Sequence, residues 1–276
     1  MKFEEFIKTQ KYELKEIKYL ITKYKELEDC VIIYLDNSEK IKIAVDIYFK
    51  YNINSLKGID ENLYEILKYE ENLYEAYKCA LKKLSIKDYS IKQINDYLIN
   101  NKKINNNESK IITDKLIEYG LLDDNKYCFN RINYLNRELL SYKFIRIKLI
   151  KEGINEELIN KHLILDNKLE SKKANQLASK YSKTIKNKSS NALKQNIINK
   201  LINNGFSYDV SKNALNSINI SCDNEIILLK KEFEKAINKY SKKYIDYELK
   251  NYIYAHLINK GFKSNDIKKV MEELYG

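Results

Sequence analysis

Four times along this chain the pattern Ile-x-x-x-Leu-Ile returns: Ile94 with Leu98-Ile99, Ile145 with Leu149-Ile150, Ile197 with Leu201-Ile202, and Ile253 with Leu257-Ile258. The leucines are spaced 51, 52 and 56 residues apart, and in the last three copies a glycine stands four residues after the leucine: Gly153, Gly205 and Gly261. A repeat of this period predicts small helical modules, each burying its apolar face against its neighbours and together presenting a long surface to a large partner.

Each copy begins with a helix ending near its Leu-Ile pair. The glycine then fits the residue past a helix end, where the backbone turns left-handed. A second helix follows, for example Glu156 to His162 or Asp209 to Leu215, and a third begins near Asp124, Asp166 and Asp223, acidic residues suited to helix starts. The last copy, from Tyr247, has room for two helices and is expected to act as a cap. The N-terminal stretch reads differently. Between Tyr12 and Val45, short β-branched and aromatic segments lie around Ile17 to Tyr24, Cys30 to Leu35 and Lys40 to Val45, with Asp36-Asn37-Ser38 as a turn. The expected fold is therefore mostly α: tandem three-helix repeats in an elongated curved array behind a small antiparallel β unit. Its expected divisions are 1–70 (β unit and a connecting helix through Leu63, Leu67 and Tyr74), repeats at 71–129, 130–184 and 185–240, and a partial repeat at 241–276.

Charge follows the same division. Residues 1–90 carry net −1 and residues 91–276 net +12, within a total of +11. From Ser171 to Tyr208 there is no Asp or Glu, while Lys172, Lys173, Lys180, Lys183, Lys186, Lys188, Lys194 and Lys200 supply eight positive charges, a stretch that attracts polyanions. The composition, rich in Lys, Asn, Ile and Tyr and without Pro or Trp, carries an A/T codon bias that inflates lysine. The three arginines, Arg131, Arg137 and Arg146, are therefore informative. They cluster in one repeat, where a planar guanidinium suits phosphate or carboxylate, the alternative being intramolecular ion pairs.

Enzyme chemistry finds no support in these residues. None of the six glycines groups into a phosphate-cradling loop. His162 stands alone and His256 occupies a position filled by Tyr97, Lys148 and Lys200 in the other copies, which predicts exposure. Asp123-Asp124 reads as helix capping, and Tyr127, Tyr134 and Tyr142 as half-buried packing. Cys30, Cys79, Cys128 and Cys222 are too scattered for a metal site, and no apolar run of membrane-spanning length is present, so a cytoplasmic, monomeric protein with free thiols and no cofactor is expected.

The run Gly120-Leu121-Leu122-Asp123-Asp124-Asn125-Lys126-Tyr127, followed by Ile145-Arg146-Ile147-Lys148-Leu149-Ile150-Lys151-Glu152-Gly153-Ile154, resembles the RecX family of recombination regulators. Ala80-Leu81 with Leu84-Ser85 is similar to that family's opening helix, and Asp46 through Gly58 to the link after the β unit of its longer members. One departure is the turn Leu139-Leu140-Ser141, where the family usually has glycine. The resemblance implies a nonenzymatic regulator of DNA repair and the SOS response that binds RecA filaments on single-stranded DNA, lies along their groove, and suppresses strand exchange and ATP hydrolysis. Arg137 and Arg146 match positions where the family has basic residues. The expected contact face comprises Arg131, Arg137, Lys143, Arg146, Lys148, Lys151, Lys172, Lys173, Lys180, Lys183, Lys186 and Lys194. A sequence-nonspecific DNA-binding protein acting without RecA, or a repeat scaffold for another acidic protein, are the alternatives.

Overall fold

A computed structural model describes residues 16–102, 104–220 and 224–275; Tyr12, Cys222 and Asp223 lie outside them. The chain forms two compact units, Met1–Tyr127 and Cys128–Gly276.

The first unit opens with strands β1 (Tyr19–Glu26), β2 (Cys30–Leu35), β3 (Lys40–Ala44) and β4 (Gly58–Ile59), paired antiparallel in the order β3-β2-β1-β4. Alternation fixes the faces: Val31, Ile33 and Leu35 of β2, with Ile41 and Ile43 of β3, point into one core. A short helix α1 (Val45–Lys50) leads to β4, whose two residues carry no strand pattern, so sequence periodicity misses it. Helix α2 (Glu61–Leu84) is then capped by Asp60, whose Oδ1 accepts from Leu63 N at 2.8 Å. It also closes the open edge of the sheet, because Lys42 N of β3 donates to Glu71 Oε1 at 2.7 Å.

No break falls at residue 70. The first half of α2 places Leu63 and Leu67 in the sheet's core, and its second half places Ala76 and Ala80 in a helical core. That second core holds α3 (Ile91–Lys102) through Ile94 and Leu98, and α4 (Asn106–Glu118) through Ile112 and Leu116. A capping box of Asn105 and Glu108 starts α4, and Gly120, at φ +67°, ends it.

Helix α5 (Asp124–Arg137) runs into the second unit, which continues with α6 (Tyr142–Lys151), α7 (Glu156–His162), α8 (Asn167–Thr184), α9 (Ser190–Asn203), α10 (Tyr208–Asn216), α11 (Glu225–Tyr240), α12 (Asp246–Asn259) and α13 (Ser264–Tyr275). Packing groups them by a rule the period alone does not reveal. Ala174, Leu177 and Ala178 of α8 share a core with Ile197 and Leu201 of α9 and Ala214 of α10. Leu229 and Phe233 of α11 share another with Ile253 and Leu257 of α12 and Ile267 and Val270 of α13. The long helix thus belongs with the two helices after it, not the two before it. Any three consecutive helices would repeat at the same interval, so spacing defines the length of a bundle but not its phase. Consequently α12 and α13 complete a bundle with α11, and the expected two-helix cap is corrected.

The repeated serines and glycines link one bundle to the next. Ser141 Oγ caps α6 by accepting from Phe144 N at 3.1 Å, and Ser141 N donates to Asn204 O at 3.3 Å in the turn between α9 and α10. One bundle further on, Ser189 caps α9, and its hydroxyl donates to Lys260 O at 2.7 Å in the turn between α12 and α13. Carboxylates repeat alongside: Tyr142 N donates to Glu170 at 3.0 Å, and Ser190 N to Glu225 at 3.2 Å. In the first unit Ile91 N likewise donates to Asp124 at 2.9 Å, and burial raises the pKa of that carboxyl. The middle helices α3, α6 and α9 are therefore each capped by their own serine, Ser90, Ser141 and Ser189, and by an acid from the next long helix. Helix α12 ends the series: its N-cap is Ile245, 75% exposed, without a side-chain cap.

Candidate protein and nucleic-acid interface

Helix α8 arranges its charges by the helical period. At roughly 100° per residue, Lys168, Lys172 and Lys183 fall on one face with Asn175 and Gln176, and Lys180 lies on its flank. All six are exposed. Lys173, one residue on from Lys172, turns toward the core and is only 4% exposed. Its ammonium donates to Leu140 O at 2.8 Å and Asn136 Oδ1 at 3.1 Å, and lies 3.3 Å from Glu170. Lys173 therefore leaves the expected contact set. It joins α5, the α5–α6 turn and α8 instead.

The arginines divide similarly. Arg131 forms a forked pair with Glu152, Nε at 3.1 Å from both oxygens and Nη2 at 2.6 Å from Oε1, the geometry of a structural clamp. Arg146 donates to Asn160 Oδ1 at 2.6 Å and lies 3.5 Å from the exposed Glu156. Arg137, at the end of α5, is exposed and lines a shallow concavity of about 510 Å³ with Asn133, Asn136, Lys172 and Gln176. A neighbouring concavity of about 590 Å³ runs along Lys168, Lys172 and Asn175. Cationic heads among side-chain amides, with no carboxylate in either lining, match phosphate oxygens or carboxylates. Lys168 is the residue sequence reading missed, although its i, i+4 relation to Lys172 was there to be read.

The remaining cations are spread over two elements and a loop. Lys143 and Lys151 are exposed on α6, and Lys148 is half-buried with its ammonium 5.4 Å from the Phe144 ring centre. Lys186 follows α8, and Lys194 is exposed on α9. Substitution separates the two adjacent lysines: Lys173→Met is expected to destabilise the protein by about 3 kcal/mol, because the largely covered Glu170 loses its cation and Leu140 O and Asn136 Oδ1 lose their donor. Lys172→Gln is expected to change stability by no more than about 0.5 kcal/mol and to weaken polyanion binding. Paired urea titrations and binding isotherms check both.

His256 is half-buried, contrary to the exposure expected of it, and its Nδ1 is 3.4 Å from the Tyr240 hydroxyl. Burial, then Lys260 and Lys239, hold its pKa below the ordinary 6.5. The native state then binds fewer protons than the unfolded chain between the two pKa values. Its contribution to stability is complete above about pH 6.5 and is lost as pH falls through the folded pKa. An NMR titration of the His256 ring should give a midpoint below 6.5; a midpoint at or above it would show a solvated ring. Among the described residues no group of three or more His, Cys, Asp or Glu is placed to hold a metal ion, and no helix is long and apolar enough to cross a membrane.

No family model matches the chain. It is 43% identical over 81 residues to the regulatory protein RecX of Streptococcus thermophilus, covering 29% of this chain and 31% of that one. Against the regulatory protein RecX of Streptococcus pyogenes it is 45% identical over 73 residues, covering 26% and 28%. A crystal structure of regulatory protein RecX superposes with a TM-score of 0.55 over 72% of this chain and all of that one, at 22% identity. Over these segments the chain is similar to RecX proteins, and it shares the fold of a solved RecX structure. The sequence matches span about a third of the length of the curated RecX relatives, while the structural likeness takes in the whole of the solved RecX chain. RecX relatives are named regulatory proteins, and the fold likeness agrees with the mostly helical architecture behind a small sheet. The turn where RecX proteins usually carry glycine keeps a left-handed residue here: Leu139 sits at φ +58°, its N–H donates to Asn136 O at 3.0 Å, and its side chain packs against the α8–α10 core.

Proposed function

We propose that this protein regulates homologous recombination by binding RecA filaments on single-stranded DNA along their groove, inhibiting ATP hydrolysis and strand exchange. The observation that carries this reading is the exposed cationic and amide-rich surface of α8 with Arg137, in a chain similar in part of its sequence to RecX proteins. A filament groove presents acidic side chains and phosphates at regular intervals. Bundles joined by recurring serine and carboxylate contacts offer repeated surfaces to such a target. The protein acts without a cofactor, in the cytoplasm, as a monomer. Its contact set is Arg137, Lys143, Lys148, Lys151, Lys168, Lys172, Lys180, Lys183, Lys186 and Lys194, with Arg131 and Arg146 holding α5, α6 and α7 in place.

The test is RecA ATPase on single-stranded DNA with sub-stoichiometric protein. Inhibition together with co-sedimentation on filaments is expected; neither inhibition nor filament binding would reject the role. Strand binding of undiminished strength without RecA, and no effect on ATPase, would favour a nonspecific DNA-binding protein instead.

A further inference from the structure

The end of the last bundle carries a feature that neither the family nor the α8 surface accounts for. Tyr244 and Tyr252 stack with ring centres 3.8 Å apart and planes at 22°. Tyr240 lies 6.0 Å from Tyr252, again at 22°, and 6.5 Å from Tyr244 at a 44° tilt, so it flanks the stacked pair in a compact cluster of three rings. Tyr252 is 44% exposed, and Tyr247, on the first turn of α12, is 77% exposed. The ring nearest the core is held from below, since Tyr240 meets His256 edge-on at 5.7 Å. Lys239 lies 4.9 Å from the Tyr240 ring centre, and Lys242 and Lys243 are exposed in the turn between α11 and α12. Asp246 and Glu248 offset part of this charge, and lysine remains in excess around the rings.

We infer that this tyrosine stack is a base-stacking platform for single-stranded nucleic acid. Aromatic faces receive unpaired bases without regard to sequence, and the lysines beside them meet the phosphates that connect those bases. A platform of this kind needs rings held in place before the strand arrives, which the Tyr244–Tyr252 stack flanked by Tyr240 provides. It also needs apolar surface left uncovered at its rim, and Ile245 and Tyr247, 75% and 77% exposed at the start of α12, supply it where that helix has no side-chain cap. An acidic peptide would use the lysines but not the rings. The inference goes beyond the filament reading, because it concerns the naked strand and holds whether or not the protein meets RecA.

The experiment measures fluorescence anisotropy of the full chain, without RecA, on labelled 20-mers of oligothymidylate and of an abasic phosphodiester. The Tyr244→Leu/Tyr252→Leu variant keeps apolar bulk but removes the rings. It is expected to bind oligothymidylate about tenfold more weakly and the abasic strand unchanged. Unchanged affinity for both strands, or equal losses on both, would overturn the inference. So would a change in self-association without a change in strand binding, which would make the surface an interface between copies. Should that variant fail to fold by circular dichroism, photocrosslinking of the unaltered protein to 5-iodouracil DNA decides: adducts at Tyr240, Tyr244, Tyr247 or Tyr252 sustain the platform, and adducts only elsewhere overturn it. Filament co-sedimentation of the same variant keeps the two readings apart.

Discussion

Gly205→Ala is expected to lower the unfolding free energy by about 2–5 kcal/mol, combining roughly 1–2 kcal/mol for a left-handed alanine with roughly 1–3 kcal/mol for overpacking. Gly205 sits at φ +86°, and a methyl there would run into Ser141 Oγ and come within 2.8 Å of Phe144 Cβ. Both belong to the preceding bundle. The backbone strain and the steric conflict therefore fall on the same contact, and neither side can move without opening the turn that receives Ser141 N. Gly120 supplies the control. It has a similar φ of +67° but nothing within 4 Å of an added methyl, so Gly120→Ala should cost only about 1 kcal/mol. Urea unfolding of the two variants, read at equal m-value, separates strain from contact. Equal losses would mean that the junction between these bundles is not closed in solution.

Replacing Arg137, Lys168, Lys172 and Lys183 together by glutamine should leave the fold intact and weaken binding to single-stranded DNA about 100-fold at 0.15 M salt. This follows from a slope of about 0.7 per phosphate contact on single strands, which also predicts that the log-log salt dependence falls by about 3 when all four contacts are lost. The four side chains are exposed and carry no apolar load, so circular dichroism and the thermal midpoint should stay close to wild type. Filament co-sedimentation should fall with them. A variant that binds filaments as well as the parent would move the docking surface elsewhere on the molecule.

How far these features can be read in the sequence depends on what generates each one. The helices from α2 to α13 and three of the four strands follow from hydrophobic period, because an apolar stripe must be buried whichever neighbour buries it. Gly153, Gly205 and Gly261 all take positive φ, as their place after the Leu-Ile pair suggests. The phase of the bundles does not follow. Whether α8 packs with α7 or with α9 depends on which of two amphipathic neighbours matches its Ala174 and Ala178, a property of shape and not of spacing. The same holds for charge. A run of lysines announces a basic segment, but one residue of helical rotation sends Lys172 to solvent and Lys173 into a network of carbonyl, amide and carboxylate. Arg131 drew attention for its rarity, and its forked pair with Glu152 supplies the intramolecular alternative. The acids that cap α6 and α9 lie 28 and 35 residues downstream of the amides they receive, a separation at which local motifs carry no signal.

Lysine acetylation footprinting on RecA filaments assembled on single-stranded DNA tests the proposed docking face most directly. Lys168, Lys172, Lys180, Lys183 and Lys186 are expected to react readily in the free protein and to be protected on the filament, while Lys173 is expected to react slowly in both. Full reactivity of those five in the bound state, with protection appearing instead on the lysines of the N-terminal sheet, would contradict that docking face.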